Sequence, residues 1–426
     1  MQTTDYVFRL RDAAIGMQML CVAFGALVLV PILTGMDSNV ALFTAGIGTL
    51  LFQVCTRGRV PIFLASSFAF IAPIIYGVQT WGLPATLGGM VMAGALYVLI
   101  SIIIRFRGTE WMLRLLPPIV TGPVIMVIGL VLAPVGVSMA LGKTSDGTVL
   151  FPENLSLIIS MTSLAVTVLV SLLGRGWLRL VPILCGIAAG CLCALCLGVH
   201  DFSKIAAAPW FALPQFVFPE FRWEAMLFII PVTLAPAIEH FGDIIAISSV
   251  TGKDFLKDPG IKNTMLGDGL ATMAASLVGG PPNTTYSEVT GAVALTRAFN
   301  PAIMTWAALC AILLSFVAKI GAFLASIPMP VMGGIRILLF GAIMVVGLNT
   351  LVRAQEDLME ARNLAIVALI IIFGVGGMTF SLGSFRLGGI GLAAVTGVAL
   401  NLFLPRPRKA AKTAAACPKT PSDAAQ

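Results

Sequence analysis

The sequence predicts an all-α polytopic membrane protein with fourteen transmembrane segments. Hydrophobic residues make up 58% of the 426 residues, charged residues make up 11%, and the mean hydropathy is +1.00. Soluble domains are about half apolar and a quarter charged, and a spanning helix requires about 20 mostly apolar residues. Many such stretches follow one another along this chain, and its charged N-terminus lacks a signal-peptide cleavage pattern.

Short polar or charged connections separate the predicted segments. The third and tenth segments are short and are interrupted by proline, glycine or serine, which makes them poor continuous helices. The segments are 13–34, 40–55, 61–77, 84–104, 117–138, 154–173, 178–198, 224–249, 262–279, 284–298, 300–325, 330–350, 361–381 and 387–405.

The basic residues predict the orientation of the chain, because lysine and arginine concentrate in cytoplasmic loops. With residues 1–12 inside, 20 of the 26 basic residues lie on the cytoplasmic side. We therefore expect both termini to be cytoplasmic and the basic tail, 406–426, to be disordered. The net charge of +7 then reflects topology and not nucleic-acid binding. The other six basic residues are Lys143, Lys204, Arg222, Lys319, Arg336 and Arg386.

A long aromatic-rich connection, 199–223, is predicted outside the cytoplasm and divides the chain into halves, 13–198 and 224–405. Each half has seven segments, so the halves enter the membrane in opposite directions, as inverted repeats do. The interrupted segments RVPIFLASSFAFIAP and PPNTTYSEVTGAVALT are each third in their half. Interrupted segments at matching positions indicate a transporter's central site, the alternative being kinked packing helices.

Four of the 19 acidic residues fall inside predicted segments: Glu239, Asp243, Asp268 and Glu288. An ionised side chain at the bilayer centre costs about 2.5–3.5 kcal/mol, so these groups must face a cavity, share protons or find partners. Glu239 and Asp243 are four residues apart and share a helix face, where two close carboxylates favour proton uptake. The alternative is a structural carboxylate bonded to a neighbouring helix, an interpretation that suits Asp243 or Asp268 best.

Other polar residues within segments have simpler interpretations. His240 either relays protons or packs in the core, and packing is favoured. Lys319 and Arg336 are expected to extend toward the interface or to pair with acids. Three cysteines on one apolar helix are expected to be packing thiols, and no metal or cofactor is predicted; they are Cys191, Cys193 and Cys196.

The motifs of ATP-driven pumps and of common hydrolases are absent from the sequence, since it has no GxxxxGK[ST], GxSxG or HExxH. Secondary transport is therefore the leading class, ahead of a channel and of an intramembrane enzyme. Four carboxylates on three consecutive segments favour ion-coupled transport, because a channel is expected to show charge rings or a repeated filter.

Four stretches together resemble the nucleobase–ascorbate transporter (nucleobase:cation symporter) family, and within it the bacterial uracil permeases, over residues 10–405. They are GRVPIFLASSFAFIAP, AIEHFGDIIAISSVTGKDFLKDPG, MLGDGLATMAASLVGGPPNTTYSEVTGAVALTR and PMPVMGGI. The resemblance implies two inverted seven-segment repeats, with short antiparallel strands in segments 3 and 10. It also implies a core domain, 13–104 plus 224–325, and a gate domain, 117–198 plus 330–405, that often forms homodimers.

The resemblance also implies roles for individual residues. Glu239 and Glu288 would bind the edge of a nucleobase, and the backbone around Ser287 and Phe68 would assist. Proton coupling would involve Glu239, Asp243 and Asp268. The full set of substrate-binding residues expected from the resemblance is Glu239, Glu288, Phe68, Ser287, Ala26 and Tyr286.

Residues typical of two branches of the family indicate two different substrates. Glu288 resembles the uracil permeases, whereas Asp243 and Asp268 resemble the purine branch of xanthine and urate carriers. Val289 and Thr290 match neither pattern. We favour proton-coupled import of uracil because Glu288 would contact the base directly; xanthine or another purine, and sodium coupling, are the alternatives.

Overall fold

The computed structural model describes residues 5–108, 114–144, 147–176, 178, 181–199, 203–382 and 385–405. The predicted tail 406–426 lies outside this part of the chain. Within the described part, seven helical segments are long and apolar enough to cross a membrane. They are Leu10–Thr34, Ser38–Cys55, Leu83–Arg107, Pro118–Ala140, Glu153–Leu173, Trp223–Thr251 and Met329–Ala354.

The first half of the chain alternates apolar helices with short turns and contains one short strand. Its elements are α1 (Ala13–Thr34), α2 (Ser38–Cys55), β1 (Leu64–Ser66), α3 (Ile71–Trp81), α4 (Leu83–Arg107), α5 (Pro118–Ala140), α6 (Glu153–Leu173) and α7 (Pro182–Cys196). A 3₁₀ turn, Phe68–Phe70, joins β1 to α3.

The second half begins with a five-residue helix, α8 (Ser203–Ala207), and it also contains a short strand followed by a helix. Its elements are α9 (Trp223–Ile229), α10 (Leu234–Thr251), α11 (Ile261–Leu277), β2 (Asn283–Thr285), α12 (Ser287–Thr296), α13 (Ala302–Ser315), α14 (Ala318–Ser326), α15 (Met329–Ala354), α16 (Ala361–Val375), β3 (Thr379–Leu382), β4 (Phe385–Gly388) and α17 (Gly389–Phe403). A 3₁₀ turn, Ile230–Thr233, joins α9 to α10.

Three predicted segments are more broken than we expected. The prediction 361–381 is wrong at its end, because α16 stops at Val375 and a β3–β4 hairpin follows. Gly377, at φ +72°, takes the left-handed conformation that ends helices. The prediction 300–325 is two helices separated at Phe316–Val317, and 224–249 is interrupted by the 3₁₀ turn that contains Pro231.

The closest helix packings fall within two sets. In one set α11 packs against α2 and α4, and α13 packs against α1 and α2. In the other set α15 packs against α5 and α6, α7 against α6, and α17 against α16. Helix α10 touches both sets, through α11 and α12 on one side and α5 and α17 on the other.

The connection after α8 crosses the ends of several helices in an extended form. Phe211 forms an antiparallel bridge with Val317, in the break between α13 and α14. Farther along, the Val217 amide donates to the Val278 carbonyl at 3.4 Å and the Glu220 amide donates to the Pro84 carbonyl at 2.9 Å. The connection predicted from 199–223 thus ties α4, α11 and α13 together through backbone hydrogen bonds.

Gly88 on α4 makes this crossing possible, and its replacement gives a stability prediction. A Cβ atom at Gly88 would lie 2.1 Å from the Glu220 carbonyl oxygen, whereas one at Gly341 would meet nothing within 4 Å. We expect Gly88→Ala to destabilise the protein by about 1–3 kcal/mol, because overpacking against backbone forces a shift. Gly341→Ala, also within a helix, is expected to be neutral or stabilising. Thermal unfolding in detergent measures both, and equal midpoints would contradict the prediction.

Two basic residues in the predicted segments have different surroundings. The Lys319 ammonium lies 4.9 Å from the Trp210 ring centroid and donates to the Ile205 carbonyl. Arg336 on α15 is completely buried, and its Nη1 contacts the Met139 sulfur. Its Nε and Nη2 have no hydrogen-bond partner in the described part of the chain. The expectation that Arg336 extends to the interface or pairs with an acid is therefore wrong, because the close packing of α15 on α5 encloses its side chain.

Candidate functional site

The two interrupted segments meet as a pair of antiparallel strands. Strand β1 aligns Leu64 with Thr285 and Ser66 with Asn283, and all six strand residues are buried. Beyond the strands, the Ser67 amide donates to the Pro282 carbonyl at 2.8 Å. Prolines precede both strands, and they favour extended backbone because they remove an amide donor and restrict the preceding residue. The strands expected by resemblance in segments 3 and 10 are therefore confirmed.

A helix begins directly after each strand. Helix α12 starts at Ser287, and the 3₁₀ turn before α3 starts at Phe68. The rings of Phe68 and Tyr286 lie 5.7 Å apart and are both buried, so the two helix starts are joined by an aromatic contact. The first turn of a helix presents unpaired backbone N–H groups and a positive dipole end. This part of the fold therefore offers hydrogen-bond donors beside an aromatic surface.

Helix α1 lies against the same region. It packs on β1, α3 and α12. Ala26 is in the middle of α1, and Ser287 and Glu288 form the start of α12. The side chains of these three residues lie outside the described part of the structure. Their backbone positions bring the middle of α1 and the first turn of α12 to the region of the two strands.

Helix α10 carries two of the predicted intramembrane acids, Glu239 and Asp243. Asp243 is 3% exposed and accepts a hydrogen bond from the Thr285 hydroxyl at 2.8 Å. Glu239, one turn earlier, is only partly buried. The shared helix face predicted for Glu239 and Asp243 thus brings one of them against strand β2.

Asp268 on α11 completes the cluster from the other side of β2. It is fully buried, and its Oδ2 lies 2.9 Å from the Nδ1 of His240. The Thr284 hydroxyl also donates to this Oδ2, at 3.4 Å. The completely buried Tyr97 of α4 lies within electrostatic range of Asp268, Glu239 and Asp243. Two of the four predicted intramembrane acids, Asp243 and Asp268, therefore hydrogen-bond to strand β2.

Several residues of this cluster were not predicted from the sequence. Thr284 and Thr285 are neighbours in a strand, where side chains alternate between opposite faces, yet both reach a buried carboxylate. Thr264 binds the second nitrogen of His240 at 3.0 Å. The run of hydroxyl residues in PPNTTY was the available signal, but a hydroxyl gives no sign in sequence of which distant acid it binds.

His240 is buried as the favoured packing interpretation predicted, but its role is more specific than packing. Its ring contacts Asp268, Thr264 and Thr285, which belong to α11 and β2. Within the described residues, no group of three or more His, Cys, Asp or Glu side chains is arranged to hold a metal ion. Cys191, Cys193 and Cys196 lie along α7 as unpaired thiols.

A cavity of about 440 Å³ is lined by residues from both halves of the chain. Its walls come from α3, α5, the α9–α10 region, the β3–β4 hairpin and the start of α17. Its volume lies within the usual range for small-molecule sites, but no predicted site carboxylate lines it. The lining residues are Ala72, Pro73, Tyr76, Val131, Phe228, Val232, Thr379, Leu387, Gly388, Gly389, Ile390 and Gly391.

Comparison with known proteins places the chain in a family. The sequence model Xan_ur_permease, described as "Permease family", matches residues 12–383. The chain belongs to this family, the nucleobase–ascorbate transporters. It is therefore a multi-pass membrane transporter and not an enzyme.

The relatives share most of their length with this chain. The "Probable uracil permease" of Haemophilus influenzae is 56% identical over 93% of this chain and 95% of its own. The "Uracil permease" of Bacillus caldolyticus is 43% identical over 93% of both chains, and that of Escherichia coli K12 is 40% identical over 92% of this chain and 91% of its own.

Solved structures share the fold at low sequence identity. The transmembrane domain of the cyanobacterial bicarbonate transporter BicA matches with TM-score 0.61 and 15% identity, over 83% of this chain and 99% of that domain. Murine Slc26a9, an anion transporter in the inward-facing state, matches with TM-score 0.64 and 13% identity, over 94% of this chain and 69% of its own. At this identity the similarity concerns the fold alone.

Proposed function

We propose that this chain imports uracil across the bacterial inner membrane, driven by protons that move with it. The observation that carries the proposal is the cluster of Asp243, Asp268 and His240 around strand β2, next to the start of α12. Buried ionisable groups beside broken helices are typical of ion-coupled transport. The names of the relatives supply the substrate class.

A nucleobase is a flat ring whose edge carries N–H donors and C=O acceptors. In the proposed complex Glu239 and Glu288 accept hydrogen bonds from the ring N–H groups. Backbone amides at Phe68 and Ser287 donate to its carbonyls, and the rings of Phe68 and Tyr286 cover part of its surface. Ala26 on α1 approaches from the remaining side. The aromatic contact between Phe68 and Tyr286 supports this arrangement.

Transport requires two parts that move against each other. We propose fourteen spans in two inverted repeats, 13–198 and 224–405. The proposed core domain is 13–104 plus 224–325, and the proposed gate domain is 117–198 plus 330–405, through which the protein forms homodimers. The two helix packing sets support this division, as does the cavity between α3 and the β3–β4 hairpin. Both termini lie in the cytoplasm in this proposal.

Proton coupling requires that proton and substrate stabilise each other's bound state. We propose that Glu239 is protonated when uracil binds from outside, and that Asp243 and Asp268 tune this step. Xanthine is the second candidate substrate, since Asp243 and Asp268 resemble the purine carriers. Sodium is the second candidate coupling ion.

Uptake into liposomes that contain the purified protein tests the proposal. Labelled uracil should accumulate under an inward proton gradient. Replacing sodium at constant pH should leave this accumulation unchanged. Competition among uracil, xanthine, guanine and urate decides the substrate, because only bound bases displace the label. Counterflow separates a carrier from a channel, since a channel shows no accelerated exchange. Accumulation of labelled xanthine without accumulation of labelled uracil would overturn the substrate assignment.

A further inference from the structure

His240 makes three polar contacts that together limit where its protons lie. Its Nε2 is 3.0 Å from the Thr264 hydroxyl, and its Nδ1 is 2.9 Å from Asp268 Oδ2 and 3.3 Å from the Thr285 hydroxyl. His240, Asp268 and Thr264 are all completely buried. Protein groups must therefore satisfy these polar atoms.

Each of the two threonine hydroxyls donates its proton to an oxygen atom outside His240. The Thr264 hydroxyl donates to the Ile261 carbonyl at 3.1 Å, and the Thr285 hydroxyl donates to Asp243 at 2.8 Å. A hydroxyl has one proton, so toward His240 both threonines act as acceptors. The Nε2 atom therefore carries a proton, and the Nδ1 side requires a second proton between the imidazole and Asp268.

We propose that His240 and Asp268 form a neutral pair that retains one shared proton, with His240 as the counter-charge of Asp268. The proton lies between Nδ1 and Oδ2. The total charge of the pair is zero whether this proton is bound to the imidazole or to the carboxylate. This inference rests on the proposed proton-coupled transport and changes its detail. Asp268 does not exchange its proton during transport, which leaves Glu239 and Asp243 as the groups that do.

The surroundings support this assignment. The other carboxylate oxygen of Asp268, Oδ1, has no hydrogen-bond partner among the described residues. The compensation for the buried charge therefore comes from His240, with a long bond from Thr284. Tyr97 of α4 lies within electrostatic range of Asp268, and also of Glu239 and Asp243 of α10. All are acids, so His240 is the one basic group in this part of the described cluster.

The pair also positions strand β2. Through Thr284 and Thr285 the cluster fastens β2 to α11 and α10. Tyr286 and the start of α12 follow directly. If His240 were absent, Asp243 and Asp268 would be two like charges sharing one buried strand, and one of them would need a proton of its own. His240 is therefore a positioning residue for the proposed substrate site.

A double-variant cycle on uracil uptake in liposomes tests the pair. We compare His240→Asn, whose amide nitrogen replaces Nδ1, Asp268→Asn, and the double variant. Removing His240 leaves the Asp268 carboxylate uncompensated, so His240→Asn should lose about tenfold or more in initial rate. Asp268→Asn leaves a neutral imidazole and should lose less. The double variant is neutral and able to form hydrogen bonds, so it should recover to within about threefold of the wild type.

The pH profile separates this role from a merely structural one. In His240→Asn, Asp268 must acquire a proton of its own, so the loss should be larger at about pH 8 than at about pH 5. Thr264→Val, which removes the bond to Nε2 without changing charge, should leave the shape of the profile unchanged. Folding of every variant is checked by gel filtration and thermal unfolding.

Two outcomes would overturn the proposal that His240 and Asp268 share one proton as a neutral pair. One is a double variant no better than the worse single variant, and the other is a His240→Asn profile of wild-type shape. Absence of proton-driven uracil uptake in the wild type would instead overturn the proposed function. A wild type that transports uracil without rescue in the double variant rejects the pair and retains that function.

Discussion

Glu239→Gln is expected to abolish proton-driven accumulation of uracil while leaving exchange of uracil across the membrane intact. Glutamine has the size and hydrogen-bonding atoms of a protonated glutamate, but it neither releases nor takes up a proton. A gradient of about one pH unit supplies about 1.4 kcal/mol per proton, which supports about tenfold accumulation. In the variant this accumulation should disappear, so that the uracil concentration inside the liposomes only equals that outside. Uptake and counterflow in the same liposomes measure the two properties separately.

Glu224→Gln is the matched control. Glu224 lies in the first turn of α9, in the same half of the chain, and is exposed. The same chemical change there should leave accumulation at the wild-type level. Accumulation that persists and still depends on pH in Glu239→Gln would contradict the assignment of Glu239 as the proton carrier. Loss of both accumulation and counterflow would assign Glu239 to substrate binding alone.

Ser67→Pro is expected to weaken uracil binding by about tenfold or more without unfolding the protein. The Ser67 backbone has φ −74° and ψ 125°, which proline adopts without strain. The substitution removes the amide that donates to the Pro282 carbonyl, and an unsatisfied buried carbonyl costs about 1–3 kcal/mol. Because this bond joins the two interrupted segments beside Phe68, its loss should separate the two halves of the proposed site. Titration of the purified variant with uracil gives the affinity.

Ser67→Ala isolates the backbone effect. The Ser67 hydroxyl is buried and has no hydrogen-bond partner among the described residues, so its removal should be neutral or slightly stabilising. Equal affinity of Ser67→Pro and Ser67→Ala for uracil would show that the Ser67–Pro282 bond does not position the site. A large drop of the unfolding midpoint in the proline variant alone would instead assign this bond to overall stability.

The membrane class and the segments that carry the candidate site were predictable from sequence for separate reasons. Long apolar runs have few folded alternatives to spanning helices, because a bilayer demands that backbone groups be satisfied internally. The acids Glu239, Asp243 and Asp268 stood out because charge is costly in such runs. The β3–β4 hairpin was missed because its residues Thr379–Leu382 continue the apolar pattern of the helix before them.

Burial and pairing of individual polar groups were not predictable. Arg336 was expected to reach an interface or an acid, but the packing of α15 on α5 encloses it. His240 is separated from Asp268 by 28 positions along the chain, and periodicity within α10 says nothing of which residue on α11 faces it.

The sequence by itself determined that this chain is a multi-pass membrane protein with acids in apolar segments of its second half and an interrupted segment third in each half. These properties follow from composition and local backbone preference, which each stretch carries without its neighbours. Only the tertiary structure decided that Leu64–Ser66 pairs with Asn283–Thr285 and that His240 lies beside Asp268. Hydrogen bonds and charge pairs depend on distances between atoms that lie far apart in sequence, and packing sets those distances.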